Sequence, residues 1–175
     1  MNERENFEDC YIKLANKIYG VAYKMVNNHQ DALDIVQEVF LRAYKNWNNF
    51  KGLSKISTYL YRIAVNLSYD FLRKKNKLRK VENIGFENWS NLVSSVKFED
   101  CIKDEEIIEE IKKEIDNLTE KQKVIFILKT YEELTYEEIA SILRKRVGTI
   151  KATYFQSLQK LRENLKKKGV MKNEM

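Results

Sequence analysis

Apolar residues recur along this chain at steps of three and four, the spacing of one face of an α-helix. Phe7, Tyr11, Leu14, Ile18, Ala22 and Met25 form the first such series, which the pair Asn27-Asn28 interrupts. Asn28 is suited to cap the next helix, with Asp31 at its third position and near its positive end. That helix carries Ala32, Ile35, Val36, Val39, Phe40, Ala43 and Trp47 on its apolar side. After the polar stretch from Asn48 to Ser54, a third helix begins near Ile56, with Tyr59, Leu60, Ile63, Ala64, Leu67 and Phe71 facing inward. Three amphipathic helices of this kind can bury one common core.

The pattern then changes. Arg73, Lys74, Lys75, Lys77, Arg79 and Lys80 crowd together, and from Val81 to about Asp100 no helical period is visible. This stretch reads as a linker, although Ile84, Phe86, Trp89, Leu92 and Val93 give it apolar residues that a plain spacer does not need. A second module starts near Lys103 with the stripe Ile107, Ile108, Ile111 and Ile115. Two capping boxes follow, Thr119-Glu120-Lys121-Gln122 and Thr135-Tyr136-Glu137-Glu138, each opening a short helix. The first of these helices carries Val124, Ile125, Ile127 and Leu128; the second carries Ile139, Ala140 and Leu143. A last helix runs from about Val147 to Lys166, with Ile150, Tyr154, Leu158, Leu161 and Leu165 inward. The expected fold is all-α: two helical modules at 1–77 and 103–169, a linker at 78–102 and a tail at 170–175.

Composition supports this reading and narrows the function. The chain has no proline and 5 glycines in 175 residues, which suits helices better than hairpin-rich sheets. Lys and Arg number 32 against 26 Asp and Glu, a modest basic excess that favours an anionic partner. Cys10 and Cys101 lie far apart, and the chain has one histidine, so no zinc-ligand spacing is present. Both cysteines are expected as reduced thiols. The chain opens Met1-Asn2-Glu3-Arg4-Glu5 without an apolar signal core, and no run approaches a membrane span, so a cytoplasmic protein is expected. No nucleophile with a positioned histidine and no phosphate-binding glycine loop occurs, so neither an enzyme nor a small-molecule substrate or cofactor is expected.

Three surfaces carry candidate chemistry. The pair of helices from Thr135 to Leu143 and from Val147 to Leu165 has the grammar of a helix-turn-helix, with an ordinary helical hairpin as the bland alternative. Lys151, Thr153, Phe155, Gln156, Gln159 and Lys160 on the last helix suit phosphates, adenine amides and thymine methyls. On the third helix Tyr59, Tyr61 and Tyr69 interleave with Arg62, Asn66, Arg73, Lys74 and Lys75, a mixture that can hold a strand backbone and receive unstacked bases; core tyrosines on a solvated basic helix would look the same. On the second helix Asp31, Asp34, Gln37 and Glu38 share one side, a poor transition-metal cage but a plausible protein-docking face.

Two long segments then resemble the extracytoplasmic-function sigma factors of bacterial RNA polymerase. Asp31-Ala32-Leu33-Asp34-Ile35-Val36-Gln37-Glu38-Val39-Phe40-Leu41-Arg42-Ala43-Tyr44 and Thr58-Tyr59-Leu60-Tyr61-Arg62-Ile63-Ala64-Val65-Asn66-Leu67 resemble conserved region two. Leu134-Thr135-Tyr136-Glu137-Glu138-Ile139-Ala140 and Val147-Gly148-Thr149-Ile150-Lys151 resemble region four. The resemblance implies a protein that binds core polymerase and directs promoter-specific initiation. The alternative is an autonomous helix-turn-helix regulator that uses only the second module.

The resemblance also implies roles. Asp31, Asp34, Gln37 and Glu38 would dock on the β′ clamp coiled coil, and the β flap is a second contact on the polymerase. Phe50, Lys51, Lys55, Arg62, Asn66, Arg73, Lys74 and Lys75 would meet the −10 promoter element, with Asn66 lining the pocket for a flipped base. Lys151, Ala152, Thr153, Phe155, Gln156 and Lys160 would face the −35 element. Many members also have an anti-sigma factor, which is a candidate partner here. The chain departs from the family pattern at Tyr59, where tryptophan is usual, and at Lys55-Ile56-Ser57. It departs again at Arg144, where the turn often has glycine, and at Thr153 and Gln156, where arginines are common. A left-handed backbone at Arg144 would carry about 1–2 kcal/mol of strain.

Overall fold

The computed structural model describes residues 7–47, 55–82 and 105–170. They form seven α-helices, with no strand among the described residues, and fall into two compact units. The first unit contains α1 (Phe7–Val26), α2 (His29–Lys45) and α3 (Ile56–Glu82). The second contains α4 (Glu105–Asp116), α5 (Glu120–Thr130), α6 (Tyr136–Leu143) and α7 (Val147–Lys167).

In the first unit the three helices pack pairwise around one core. Ile18, Val21 and Ala22 of α1, Ala32 and Val39 of α2, and Leu60, Ala64 and Val65 of α3 are all essentially removed from solvent. The break between α1 and α2 forms as the asparagine pair predicts. Asn27 ends α1 with φ 53°, a left-handed conformation that asparagine tolerates. Asn28 then caps α2, its Oδ1 accepting from the Asp31 amide at 3.0 Å. Cys10 is buried as a packed thiol. Tyr11, expected inward, is 47% exposed and lays its ring edge-on over Phe40 at 4.7 Å.

Helix α3 differs from the sequence reading in its length and its inner face. It continues through the basic run to Glu82, so residues 78–82, assigned to the linker, are helical. Lys, Arg and Leu are good helix formers, and neither Gly nor Pro interrupts them before Glu82. Tyr61 is core at 3% exposure and cannot belong to the basic-aromatic surface. Thr58 and Ser68, not expected inward, are buried, while Tyr59, Ile63, Leu67 and Phe71, expected inward, are only partly so. Ser68 satisfies its hydroxyl on the Ala64 carbonyl at 2.8 Å.

The second unit is organised around α7, against which α4, α5 and α6 all pack. Both expected capping boxes form. Thr119 Oγ1 accepts from the Gln122 amide and the Gln122 side chain returns to the Thr119 amide. Thr135 and Glu138 repeat the arrangement at the start of α6. The buried stripe of α7 is Ile150, Ser157, Leu161 and Leu165, with Tyr154 half-buried. Leu158, expected inward, is 37% exposed and Ser157 takes its place. A step of four over-rotates each ~3.6-residue turn, so two in succession from Ile150 drift off the buried stripe.

Candidate functional site

Helix α2 presents its polar side to solvent while Ala32, Ile35, Val36, Val39 and Phe40 bury the other. Asp34 and Gln37 are exposed, Glu38 is partly exposed and Asp31 lies at the buried margin. Gln30 donates to Asp34 at 3.2 Å, and Arg42 pairs with Glu38 at 2.6 Å. Two apolar side chains not expected here also stand out of the core, Leu41 at 47% exposure and Tyr44 at 65%. Leu41 follows Gln37 and Glu38 by one helical turn, so it stands on their face. An apolar residue on the polar side of an amphipathic stripe was the available sequence signal.

Helix α3 exposes Asn66, Arg73 and Lys74, with Tyr59, Arg62 and Tyr69 partly exposed. Tyr59, Arg62, Asn66 and Arg73 follow one another at steps of three, four and seven, hence along one face. Lys75 does not join them. Its ammonium lies 3.6 Å from Asp31 Oδ2 on α2 and 5.7 Å above the Phe71 ring. The structure therefore brings together one residue assigned to DNA and one assigned to polymerase. Lys55 is exposed immediately before α3, and Phe50 and Lys51 lie outside the described residues.

On α7 the exposed side carries Lys151, Ala152, Phe155, Gln156 and Gln159, with Thr153 at the margin. Phe155 is 62% exposed. Lys160 turns away from this face and donates to the Asn117 carbonyl at 2.8 Å, tying α7 to the turn between α4 and α5. Lys151 sits 5.5 Å above the Tyr136 ring, with Lys129 at 4.9 Å from the same ring. The turn between α6 and α7 holds Arg144 at φ 52°, ψ 50°, so the left-handed backbone is present and the strain with it. The Lys145 amide closes the turn on the Ala140 carbonyl at 3.0 Å. The pair is a helix-turn-helix whose second helix offers one unobstructed side.

A polar cluster that the sequence did not disclose joins the two ends of this unit. Lys168 Nζ lies 2.7 Å from Glu114 Oε1 and 2.8 Å from Glu110 Oε2, and Asn164 donates to Glu114 Oε2 at 2.7 Å. Glu114 is 3% exposed. The hydrogen bond from Lys168 holds its carboxyl below the ordinary range against the opposing effect of burial. Glu110 is lowered for the same reason, and its bond raises Lys168 in return. The signal was glutamates one turn apart on α4, but their partner lies 54 residues on from Glu114.

Among the described residues no group of His, Cys, Asp and Glu could hold a metal ion, and no helix is long and apolar enough to cross a membrane. What the two units offer is surface: an acidic helix side, a basic helix side and a helix-turn-helix. This defines an all-helical, two-module protein whose exposed sides suit a protein partner and nucleic acid.

Comparison with known proteins specifies the class. Residues 10–78 match the family description Sigma-70 region 2, and residues 108–161 match Sigma-70, region 4. The ECF RNA polymerase sigma factor SigW of Bacillus subtilis is 36% identical over 170 residues, covering 94% of this chain and 91% of the relative. The ECF RNA polymerase sigma-E factor of Escherichia coli K12 is 28% identical, covering 89% and 84%. The solved structure of the sigma factor RpoE in complex with the anti-sigma factor NepR from Bartonella quintana shares the fold. Its TM-score is 0.74 at 22% identity, with 91% of this chain and 96% of that one covered. The chain belongs to the extracytoplasmic-function sigma factors, and its function is promoter-specific transcription initiation with RNA polymerase. The autonomous regulator is set aside, because it needs no region two.

Proposed function

We propose that each surface described above serves one step of initiation. The α2 side formed by Asp34, Gln37 and Glu38, with Leu41 as an apolar anchor, docks on the β′ clamp coiled coil of core polymerase. Asp31 belongs to its edge through the Lys75 pair. The α3 side formed by Tyr59, Arg62, Asn66, Arg73 and Lys74 receives the opened −10 strand, with Asn66 reading a flipped base. Phe50, Lys51 and Lys55 belong to the same step. The α7 side formed by Lys151, Ala152, Thr153, Phe155 and Gln156 reads the −35 element in the major groove. Residues 1–77 and 103–169 act as the two functional regions, and the β flap supports the second.

The observation that carries this reading is the exposure of Asn66 between Arg62 and Arg73 on a helix whose opposite side is core. An amide with a solvated edge, flanked by cations, suits a base held by its backbone. In this reading the chain supplies recognition, the polymerase supplies nucleotide addition, and the protein works in the cytoplasm without a cofactor. RpoE and CnrH have each been solved bound to a partner, RpoE to the anti-sigma factor NepR and CnrH to the cytosolic domain of CnrY. By analogy an anti-sigma factor is a partner of this chain. The test is to add the purified chain to core polymerase and map the 5′ ends of transcripts from genomic DNA. A shared −10 and −35 pair upstream of the new starts is expected. Starts identical to those of core polymerase alone would refute the reading.

A further inference from the structure

The first turns of α7, which enter the groove in a helix-turn-helix, hold one cation, Lys151, while Arg162, Lys166 and Lys167 stand further along the helix. Lys160 is committed to the Asn117 carbonyl and Lys129 to the Leu134 carbonyl at 3.0 Å. Lys168 is held by two glutamates, and Lys151 lies against the Tyr136 ring. Affinity for duplex DNA comes largely from cations that replace condensed counterions. A −35 reader with one cation at its entering end gains affinity from further cations beside it.

They stand in the turn. Arg144, Lys145 and Arg146 are consecutive and exposed, and their side chains make no hydrogen bond or ion pair with the described residues. Arg146 occupies the N-cap position of α7 without a side-chain capping bond. Arg144 adopts a left-handed backbone that glycine would take without strain. A cation is thus kept where the backbone favours glycine, and strain of this kind points to a role outside folding.

We propose that Arg144, Lys145 and Arg146 form a second DNA contact, a phosphate anchor on the duplex backbone bordering the −35 element. The inference rests on the reading of α7 as the −35 helix. In a helix-turn-helix the N-terminal residues of the second helix enter the major groove. The turn just before them then lies at the groove edge, where the phosphates run. Phosphate contacts set register and affinity and carry no base preference. The anchor accordingly supplies binding strength that the uncharged reading residues Ala152, Phe155 and Gln156 do not.

The test measures holoenzyme binding to duplex promoter by fluorescence anisotropy at several salt concentrations, using the full chain. The double variant Lys145→Gln/Arg146→Gln should lower the slope of log affinity against log salt by about 1.8, at about 0.9 per phosphate. Between 50 and 200 mM salt it should lose about tenfold less affinity than the parent. Arg144→Gly, which fits the left-handed backbone, should lower the slope by about 0.9. Base preference in a selection from randomised −35 DNA should stay parental in both. Lys166→Gln/Lys167→Gln removes the same two charges at the far end of α7 and should leave the slope unchanged. An unchanged slope in the turn variants while the parent selects its −35 sequence would overturn this inference alone. So would a changed base preference, or a loss confined to core-polymerase affinity. A parent holoenzyme that selects no −35 sequence would overturn both this inference and the reading beneath it.

Discussion

Lys75 on α3 holds its ammonium 3.6 Å from the Asp31 carboxylate on α2. The pair joins the start of the helix assigned to polymerase docking to the basic end of the helix assigned to the −10 strand. Lys75 is 36% exposed and Asp31 22%, so solvent screens the attraction and the coupling should be small. A double-mutant cycle of Asp31→Asn and Lys75→Met on unfolding should give about 0.2–1 kcal/mol. Lys75→Met should leave the salt dependence of open-complex formation close to the parent, whereas Arg73→Gln should reduce it. An equal reduction by both variants would return Lys75 to the DNA-contacting set.

The docking prediction concerns the exposed side of α2. Gln37→Ala/Glu38→Ala should weaken core-polymerase binding by about 2 kcal/mol or more, the scale of interface hot spots. Leu41→Ala should weaken it as well, because an exposed apolar residue amid polar ones is a common anchor. Fluorescence anisotropy of labelled variants against core polymerase measures both effects. Unimpaired affinity with native circular dichroism would remove the residues from the interface.

The two domains and most helix ends were legible because local chemistry settles them. Asn28, Thr119 and Thr135 each cap within four residues of sequence, and the structure forms all three caps. What could not be read depends on distant partners. Lys75, Lys160 and Lys168 look alike in sequence as members of basic stretches. Their fates diverge because Asp31, the Asn117 carbonyl and Glu114 come to them through tertiary packing. Tyr61 looked like surface with Tyr59, yet two residues along a helix turn it about 200°, onto the core side. The end of α3 was misplaced because a basic run keeps helix propensity without an apolar stripe to mark it.

Asn66 gives a prediction about base identity. Asn66→Ala should keep core binding and thermal stability, because the side chain is exposed and removes nothing from the core. Open-complex formation should fall most on the preferred base at the flipped position, by about 1–3 kcal/mol for a good amide–base pair. Permanganate footprinting across four promoter variants reads this. Equal losses on all four would make Asn66 a backbone contact.

The Glu110–Glu114–Lys168 cluster makes the second unit pH-dependent at both extremes. Glu114 titrates below its unfolded value because Lys168 bonds to the charged form. Its contribution is therefore complete above the ordinary carboxylate range and lost as pH falls through the depressed folded value. Lys168 titrates above its unfolded value because of Glu110 and Glu114. Its contribution is complete below the ordinary lysine range and lost as pH rises through the raised one. Glu114→Gln should thus destabilise the unit at neutral pH, and its difference from the parent should shrink in acid. Urea unfolding at a series of pH values measures this. A difference that stays constant down to about pH 2, below unperturbed carboxylate values, would show that the charge of Glu114 is not responsible.

Arg144 sets folding against binding, and one substitution separates them. At φ 52° the arginine carries about 1–2 kcal/mol of backbone strain relative to glycine. Glycine also loses more freedom on folding, which offsets about 0.5–1 kcal/mol of that gain. Arg144→Gly should therefore stabilise the second unit by about 0.5–1 kcal/mol, read as a higher urea midpoint at an unchanged slope. The same variant should bind promoter less tightly as holoenzyme, because it lacks one cation at the turn. A merely structural arginine predicts a different pair of results, a stability change with promoter affinity intact. Lys145→Gln is the companion measurement: it leaves the strained position alone and should lower affinity without raising stability. If Arg144→Gly proved both more stable and an equally tight promoter binder, the turn would have no reason to keep its strain, and the phosphate contact at Arg144 would be excluded.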